Sequence, residues 1–374
     1  MIYVDNAATT KLDPEAFQEM VPYLTDLYGN PSSSYRLAVE ARKAICKARE
    51  RIANIIGAKE NEIIFTSGGS EADSWVINGY ANIPSKKQII TTVIEHHAII
   101  NSCEAAKRKA VPVIYLSVDK DGIVDKEELK RELMNETSLV SIAYANNEIG
   151  TIQDINLLSE IVHQYGVTFH TDAVQVVGHE NVDLNNLEVD LLSASAHKFN
   201  GPKGIGFLFK RANIDIEPII YGGKQENHMR GGTENVASIV GMAAALENNI
   251  KKLNDTKAHI MKLESYVRNR LQRQISDILF NGSVDKHMPG NISVTFVSIE
   301  AEAIINLLDL RGICVSAGSA CNEGLDEISH VLRGIGLSED LASSTIRISI
   351  GKYNTLDEMS KLCDEIENIH HMLS

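Results

Sequence analysis

From residue 63 to residue 209 the chain alternates short β-rich runs with segments of helical period, and few architectures can absorb that alternation. The runs fall at 63–66, 88–93, 113–116, 139–143, 167–171, 190–193 and 206–209. A strand that returns through a helix pairs in parallel with its predecessor, and the helices then cover both faces of the sheet. The expected fold is therefore α/β, with a large domain built on a mostly parallel seven-stranded sheet. Around Glu234 the pattern changes to one long helical stretch reaching about Ile275, followed by strand-like 292–296, helix-like 300–309, strand-like 345–350 and a final helix from Thr355. This second part reads as a smaller α+β C-terminal domain. The expected boundaries are 12–252 and 253–374, with residues 1–11 packing near the second. No fixed-period repeat or low-complexity tract interrupts this organisation.

Composition narrows the function. The 374 residues carry 36 Lys and Arg against 50 Asp and Glu, a net charge of −14, which excludes a generic nucleic-acid binder. The five cysteines, Cys46, Cys103, Cys314, Cys321 and Cys363, form an odd set without CxxC spacing, so neither a disulfide framework nor a zinc ribbon is indicated. The first residues contain no basic stretch followed by an apolar run, and nowhere do 18 apolar residues succeed one another. A cytoplasmic protein without a membrane span is expected.

In open parallel sheets ligands gather at the carboxyl ends of the strands, so the polar residues just after each run come first. After 63–66 the small residues Ser67, Gly68, Gly69 and Ser70 open a helix whose free amides suit a phosphate, or simply make an ordinary glycine-rich turn. After 88–93 come Glu95, His96 and His97, a titratable or stacking set that reads equally as plain surface or core. After 139–143 the turn Asn146-Asn147-Glu148 either binds a ligand or satisfies its own backbone. The next two strand ends are more specific. One delivers Asp172 and Gln175, the other Ser195, His197 and Lys198. A lysine and a carboxylate on two strands suit a pyridoxal cofactor, the lysine forming a Schiff base and the acid keeping the ring nitrogen protonated; a surface ion pair is the alternative. Finally, Cys321 stands in a small, polar segment where a thiol is accessible enough to react, whereas Cys46, Cys103, Cys314 and Cys363 read as packing residues.

Taken in order, the segments 3–10 (YVDNAATT), 29–33 (GNPSS), 65–69 (FTSGG), Glu95-His96, 146–150 (NNEIG), 170–173 (HTDA), 196–198 (AHK), 230–233 (RGGT) and 316–321 (SAGSAC) resemble the pyridoxal-phosphate cysteine desulfurases of the class V aminotransferase superfamily, in the iron-sulfur-cluster and nitrogen-fixation branch. The resemblance spans nearly the whole chain and implies a fold type I pyridoxal-phosphate enzyme. It implies that Lys198 holds the cofactor, that Asp172 pairs with the pyridine nitrogen, and that His96 stacks on the ring and moves protons. Asn147 and Gln175 would contact the ring hydroxyl. Gly69, Ser70, Ser195 and His197 would hold the phosphate, with Thr233 reaching in from the second subunit of a homodimer. Arg347 would clamp the carboxylate of L-cysteine, with Asn6 and Ala7 lining the same pocket. Cys321, in a mobile loop over 316–330, would take the sulfur as a persulfide. The implied acceptor is an iron-sulfur scaffold or a tRNA-thiolation enzyme, and a transient cluster at Cys321 is compatible with such a role; direct nucleic-acid binding is not expected.

The chain departs from that pattern in places. Ser70 stands for the usual Thr, Ser74 for a frequent Asn, Tyr35 for a frequent His and Lys11 for a frequent Pro, and the stretch after Cys321 is richer in acid. These changes bear on subfamily and acceptor rather than on the reaction. A selenocysteine lyase, a small-substrate class V aminotransferase and a non-catalytic relic are the competing readings.

Overall fold

The computed structural model describes residues 1–85, 87–297, 299–318 and 328–373. Among them the expected large sheet forms, in the order Ile63–Thr66, Gly206–Lys210, Leu191–Ser195, Thr168–Asp172, Thr137–Ser141, Gln88–Thr92, Val113–Leu116. Gly206–Lys210 runs antiparallel to both its neighbours and every other pairing is parallel. The central strands are buried on both sides, as a sheet covered by helices requires. Alternate residues of a strand reach different cores. Phe65, Phe169, Leu192 and Phe207 join the helices Arg36–Ile56 and Val236–Lys251, whereas Ile64, Leu191 and Leu208 join Trp75, Val76 and Ile99 from the helices Gly69–Ala81 and His97–Arg108.

The long helical stretch expected from Glu234 to Ile275 is two helices, Val236–Lys251 and Leu253–Gln274. Lys252 leaves the helical region at φ −110°, ψ 13°, and no glycine or proline marks the break, so the apolar period reads straight through it. Helix Leu253–Gln274 packs with the terminal helix Leu356–Leu373 over a second sheet, ordered Ser316–Ala317, Thr345–Ser349, Asn291–Phe296, Ile278–Asn281 and antiparallel throughout. Ile278–Asn281 went unseen in the sequence because it is an edge strand without clean alternation, its Leu279 being 48% exposed. Leu263, Val267, Phe296, Ile346, Ile348, Met359 and Leu362 form the core here. The amino terminus belongs with this part: Ile2–Tyr3 pairs in parallel with Ile313–Cys314.

One cysteine assignment needs correction. Cys46 is exposed rather than packed, because helix Arg36–Ile56 buries Ala38, Ala41, Ala44, Ile45, Ala48 and Ile52, a stripe of helical period that leaves position 46 facing outward. Cys103 and Cys363 are buried as expected. No helix among the described residues is long and apolar enough to cross a membrane.

Candidate active site

The parallel register sets the geometry of the site. Asp172 pairs with Ser193 across the sheet, so the ends of Thr168–Asp172 and Leu191–Ser195 open side by side. The second strand continues directly into one turn of 3₁₀ helix, Ala196–Lys198, which carries His197 and Lys198 over the sheet edge. The result is a cleft of about 460 Å³ lined by Ser70, His96, Asn147, Asp172, Gln175 and Lys198 among others. Gly69, Ser195 and His197 line it too. Sequence reasoning from strand ends thus names residues that the fold brings together.

At one end of the cleft helix Gly69–Ala81 begins at Gly68, which has no side chain to cap it. Its first amides and the positive end of its dipole are therefore left for an anion. Gly69 cannot be anything larger without movement, since a Cβ there would lie 2.6 Å from Val174 Cγ2. Glu71 fixes the turn by accepting from the Ser67 amide at 2.7 Å while paired with Arg230 at 2.9 Å.

At the other end Asp172 is buried and accepts a hydrogen bond from the Val174 amide at 2.9 Å. Burial pushes its carboxyl up to about 6, against the opposing pull of that amide and of the Lys198 charge. Lys198 Nζ donates to the backbone oxygens of Ala7 and Ala8, the latter at 2.9 Å. Gln175 Nε2 donates to Ala7 O at 3.1 Å. His96 caps helix His97–Arg108, its Nδ1 accepting from the Ala98 amide at 3.1 Å. Burial, then the charge of Lys198, lowers its pKa to about 4, so the ring is neutral at physiological pH and carries its proton on Nε2. His197 is held likewise near 4 by burial and Lys198, with Nδ1 3.1 Å from Thr9 Oγ1.

Arg347 comes from the other sheet. Its side chain is 1% exposed, and Nη2 makes an ion pair with Asp5 Oδ1 at 2.8 Å. Nη1 donates to Asn147 O at 3.1 Å, and Nε has no hydrogen-bond partner. A buried donor left unmade is costly unless a ligand meets it. Arg347 lines a recess of about 170 Å³ with Ala7, Glu95, His97, Glu148 and His330, and this recess shares Ala8, His96, Asn147 and Lys198 with the cleft. Lys198 thus lines both the cleft that holds Asp172 and the recess that holds Arg347.

Three expected positions are not among the residues lining the cleft or the recess. Asn6 lines an adjoining pocket and donates to Ser349 O at 2.9 Å rather than lining the cleft. Thr233, expected to serve the site of a second subunit, lines a separate pocket of its own chain beside Arg230 and Glu234. Cys321 lies outside the described residues. The positions near it on either side are placed: Gly318 O accepts from Arg347 Nη1 at 3.5 Å, and Ser329 Oγ donates to Glu148 Oε2 at 2.6 Å. Sequence reasoning gave no role to Asp5 or Asp73. Asp73 had a readable signal, an acid on the buried face of a helix among Ala72, Trp75 and Val76.

A pyridoxal phosphate ring has an aldehyde for an amine, a basic nitrogen for an acid and a phosphate for free amides. The cleft offers Lys198, the buried Asp172 and the uncapped start of helix Gly69–Ala81, so the residues fit the group.

Comparison with known proteins agrees with this chemistry. The aminotransferase class-V family matches residues 2–362. A cysteine desulfurase IscS from Dictyoglomus turgidum is 45% identical over 98% of this chain and 94% of its own. A solved NifS-like protein is 38% identical, with a TM-score of 0.94 and full coverage of both chains. SspA, solved in complex with cysteine, is 33% identical with a TM-score of 0.84 over 95% of this chain and all of its own.

Proposed function

Since the chain belongs to the aminotransferase class-V family, we propose that it is a pyridoxal-phosphate-dependent cysteine desulfurase that converts L-cysteine to L-alanine and passes the sulfur to a protein thiol. The observation that carries this reading is that Lys198 lines both the cleft that holds Asp172 and the recess that holds Arg347, so one amine neighbours a site for a ring nitrogen and a site for a carboxylate.

Bound in the cleft, pyridoxal phosphate supplies an electron sink that acidifies the substrate Cα–H. Each side chain then has a task. Lys198 would hold the cofactor, and its amine, when free, would move the substrate Cα proton. Asp172 presents its charge to the ring nitrogen, and a cation there draws its carboxyl back down. Gly69, Ser70, Ser195 and His197 would hold the phosphate, and Asn147 and Gln175 would contact the ring hydroxyl. His96 stacks as a neutral imidazole; with Nδ1 committed to the Ala98 amide it offers Nε2–H as a donor, which leaves the proton movement to Lys198. Arg347 uses its unpartnered Nε for the substrate carboxylate. The Cys321 thiolate attacks the substrate sulfur: an S–S bond forms, the C–S bond breaks with its pair left on carbon, and protonation there yields alanine.

We read residues 12–252 and 253–374 as the two domains, with Thr233 completing the phosphate site of a second copy in a cytoplasmic homodimer. The persulfide would go to an iron-sulfur scaffold or a tRNA-thiolation enzyme. Alanine and sulfide release from L-cysteine with a reductant tests the reading. Equal amounts from the wild type, lost in both Lys198→Ala and Cys321→Ala, are expected. Alanine from Cys321→Ala at the wild-type rate would overturn the sulfur-transfer step and favour an aminotransferase. Activity confined to selenocysteine would favour a selenocysteine lyase.

A further inference from the structure

Beneath the cleft lies a second buried acid. Asp73 sits four residues into helix Gly69–Ala81, one turn below the uncapped start and on the same face as Gly69. It is 1% exposed and lines the cleft. Side-chain atoms of Asp73, His96 and Asp172 lie within 4.8 Å of one another, and Asp73 Oδ1 has no hydrogen-bond partner among the described residues. We infer that Asp73 is a positioning residue for the cofactor: it stands beside Asp172 as a neutral carboxylic acid, so that the floor of the cleft carries one negative charge rather than two. This rests on the desulfurase reading for its function, not for its protonation.

The neighbours decide which acid holds the proton. From the strand Thr168–Asp172, Asp73 faces Asp172 and His170. His170 lies 3.8 Å away and is no cation, because its Nε2 meets Ser193 Oγ at 2.9 Å, its Nδ1 meets Ser141 Oγ at 2.8 Å, and burial lowers its pKa to about 3. From the turn before helix His97–Arg108 come His96, neutral as shown, and Glu95, whose own burial pushes it to about 8. From the 3₁₀ turn comes Lys198, whose charge favours an ionised Asp172. Asp172 also accepts the Val174 amide, whereas Asp73 finds only the Ser193 hydroxyl to favour its anion. Two buried carboxylates this close do not both ionise. Burial and then the charge of Asp172 raise Asp73 well above the usual carboxylate range. Asp172 is thus left as the anion that meets the ring nitrogen.

Two variants and two states of the protein test this. In the cofactor-free protein, a carboxyl that stays protonated when folded but ionises when unfolded makes stability fall as pH rises above about 4. Asp73→Asn, an amide of the same shape, should reduce that fall between pH 5 and 7 by about one proton's worth. It should also remove a protonated-carboxyl C=O band from the infrared difference spectrum against wild type at pH 7. In the loaded protein, Asp73→Asn should retain pyridoxal phosphate within about threefold of wild-type affinity, with an unshifted visible absorption band, while Asp73→Glu, too long for the floor, should lose tenfold or more. An unchanged pH slope with no lost infrared band would overturn the inference, as would a tenfold loss of cofactor in Asp73→Asn. A wild-type protein that takes up no pyridoxal phosphate would fail the desulfurase reading instead, and the cofactor-free measurements would still report on Asp73.

Discussion

Replacing Asp5 with Ala removes the only carboxylate that pairs with Arg347 among the described residues. The Arg347 side chain is 1% exposed and that of Asp5 18%, so the pair is buried at one end and reached by water at the other. Breaking a buried pair by deleting one partner costs about 3–5 kcal/mol, because a charge is left without compensation. The water at Asp5 and the carbonyls of Asn147 and Gly318, which remain on Arg347 Nη1, put this case at the lower end, about 3 kcal/mol. That is a large part of the roughly 5–15 kcal/mol that holds a typical domain together. At about 2 °C per kcal/mol for a chain of this size, thermal unfolding should fall by about 6 °C. The same loss frees the guanidinium to swing, so KM for L-cysteine should rise about tenfold, the equivalent of about 1.4 kcal/mol. Asp5→Asn keeps the acceptor and drops the charge, and should fall between the two. Calorimetry and steady-state alanine release measure both effects. An Asp5→Ala variant that melts with the wild type and binds cysteine equally well would show that the backbone carbonyls alone hold Arg347, and the argument would fail.

Loading of the cofactor should depend on pH through Asp172. Its carboxyl sits near 6 in the cofactor-free protein, so it is ionised above that value, and pyridoxal phosphate affinity should fall as pH drops through 6; an absorbance titration of Asp172→Asn should lack this step. Ser329→Ala removes both the cap of helix His330–Gly334 and the partner of the buried Glu148, and should cost about 2 kcal/mol in urea unfolding. Gly206→Ala would put a Cβ 2.4 Å from Ala194 O and 2.8 Å from Gly68 Cα, pushing the phosphate turn off the sheet. Its cofactor affinity should drop at least tenfold by fluorescence titration, whereas Gly204→Ala, which has open space but a positive φ of 78°, should lose stability and retain cofactor.

The cleft was legible because parallel strands end on one side of the sheet, so the residues after each run, Ser67 to Ser70, His96, Asn147, Asp172 and Lys198, had to converge. Local sequence carries that information. What it does not carry is contact between elements far apart in the chain. Asp5 and Arg347 are separated by 342 positions, and nothing near either residue announces the other. Asp73 was hidden for a different reason: it stands in a segment whose other residues already had an explanation as a helix core. The break at Lys252 was hidden because the helical period continues across it.

The amino-terminal segment joins these halves of the site. Asp5 holds Arg347, Ala7 O and Ala8 O take the Lys198 ammonium, Thr9 Oγ1 meets His197, and Thr10 Oγ1 donates to His197 O at 2.8 Å. The Ala7 amide donates in turn to Ser349 Oγ at 2.9 Å, on the strand that carries Arg347. Five residues between positions 5 and 10 therefore touch the amine end of the site on one sheet and the carboxylate end on the other. On the proposed reading an amino-acid substrate spans both ends at once, its amine beside Lys198 and its carboxylate at Arg347. The strap between the two sheets, together with the direct bond from Arg347 Nη1 to Asn147 O, holds those two groups relative to one another. This is why residues far from the reacting atoms in sequence, and unremarkable in composition, bear directly on which substrates fit.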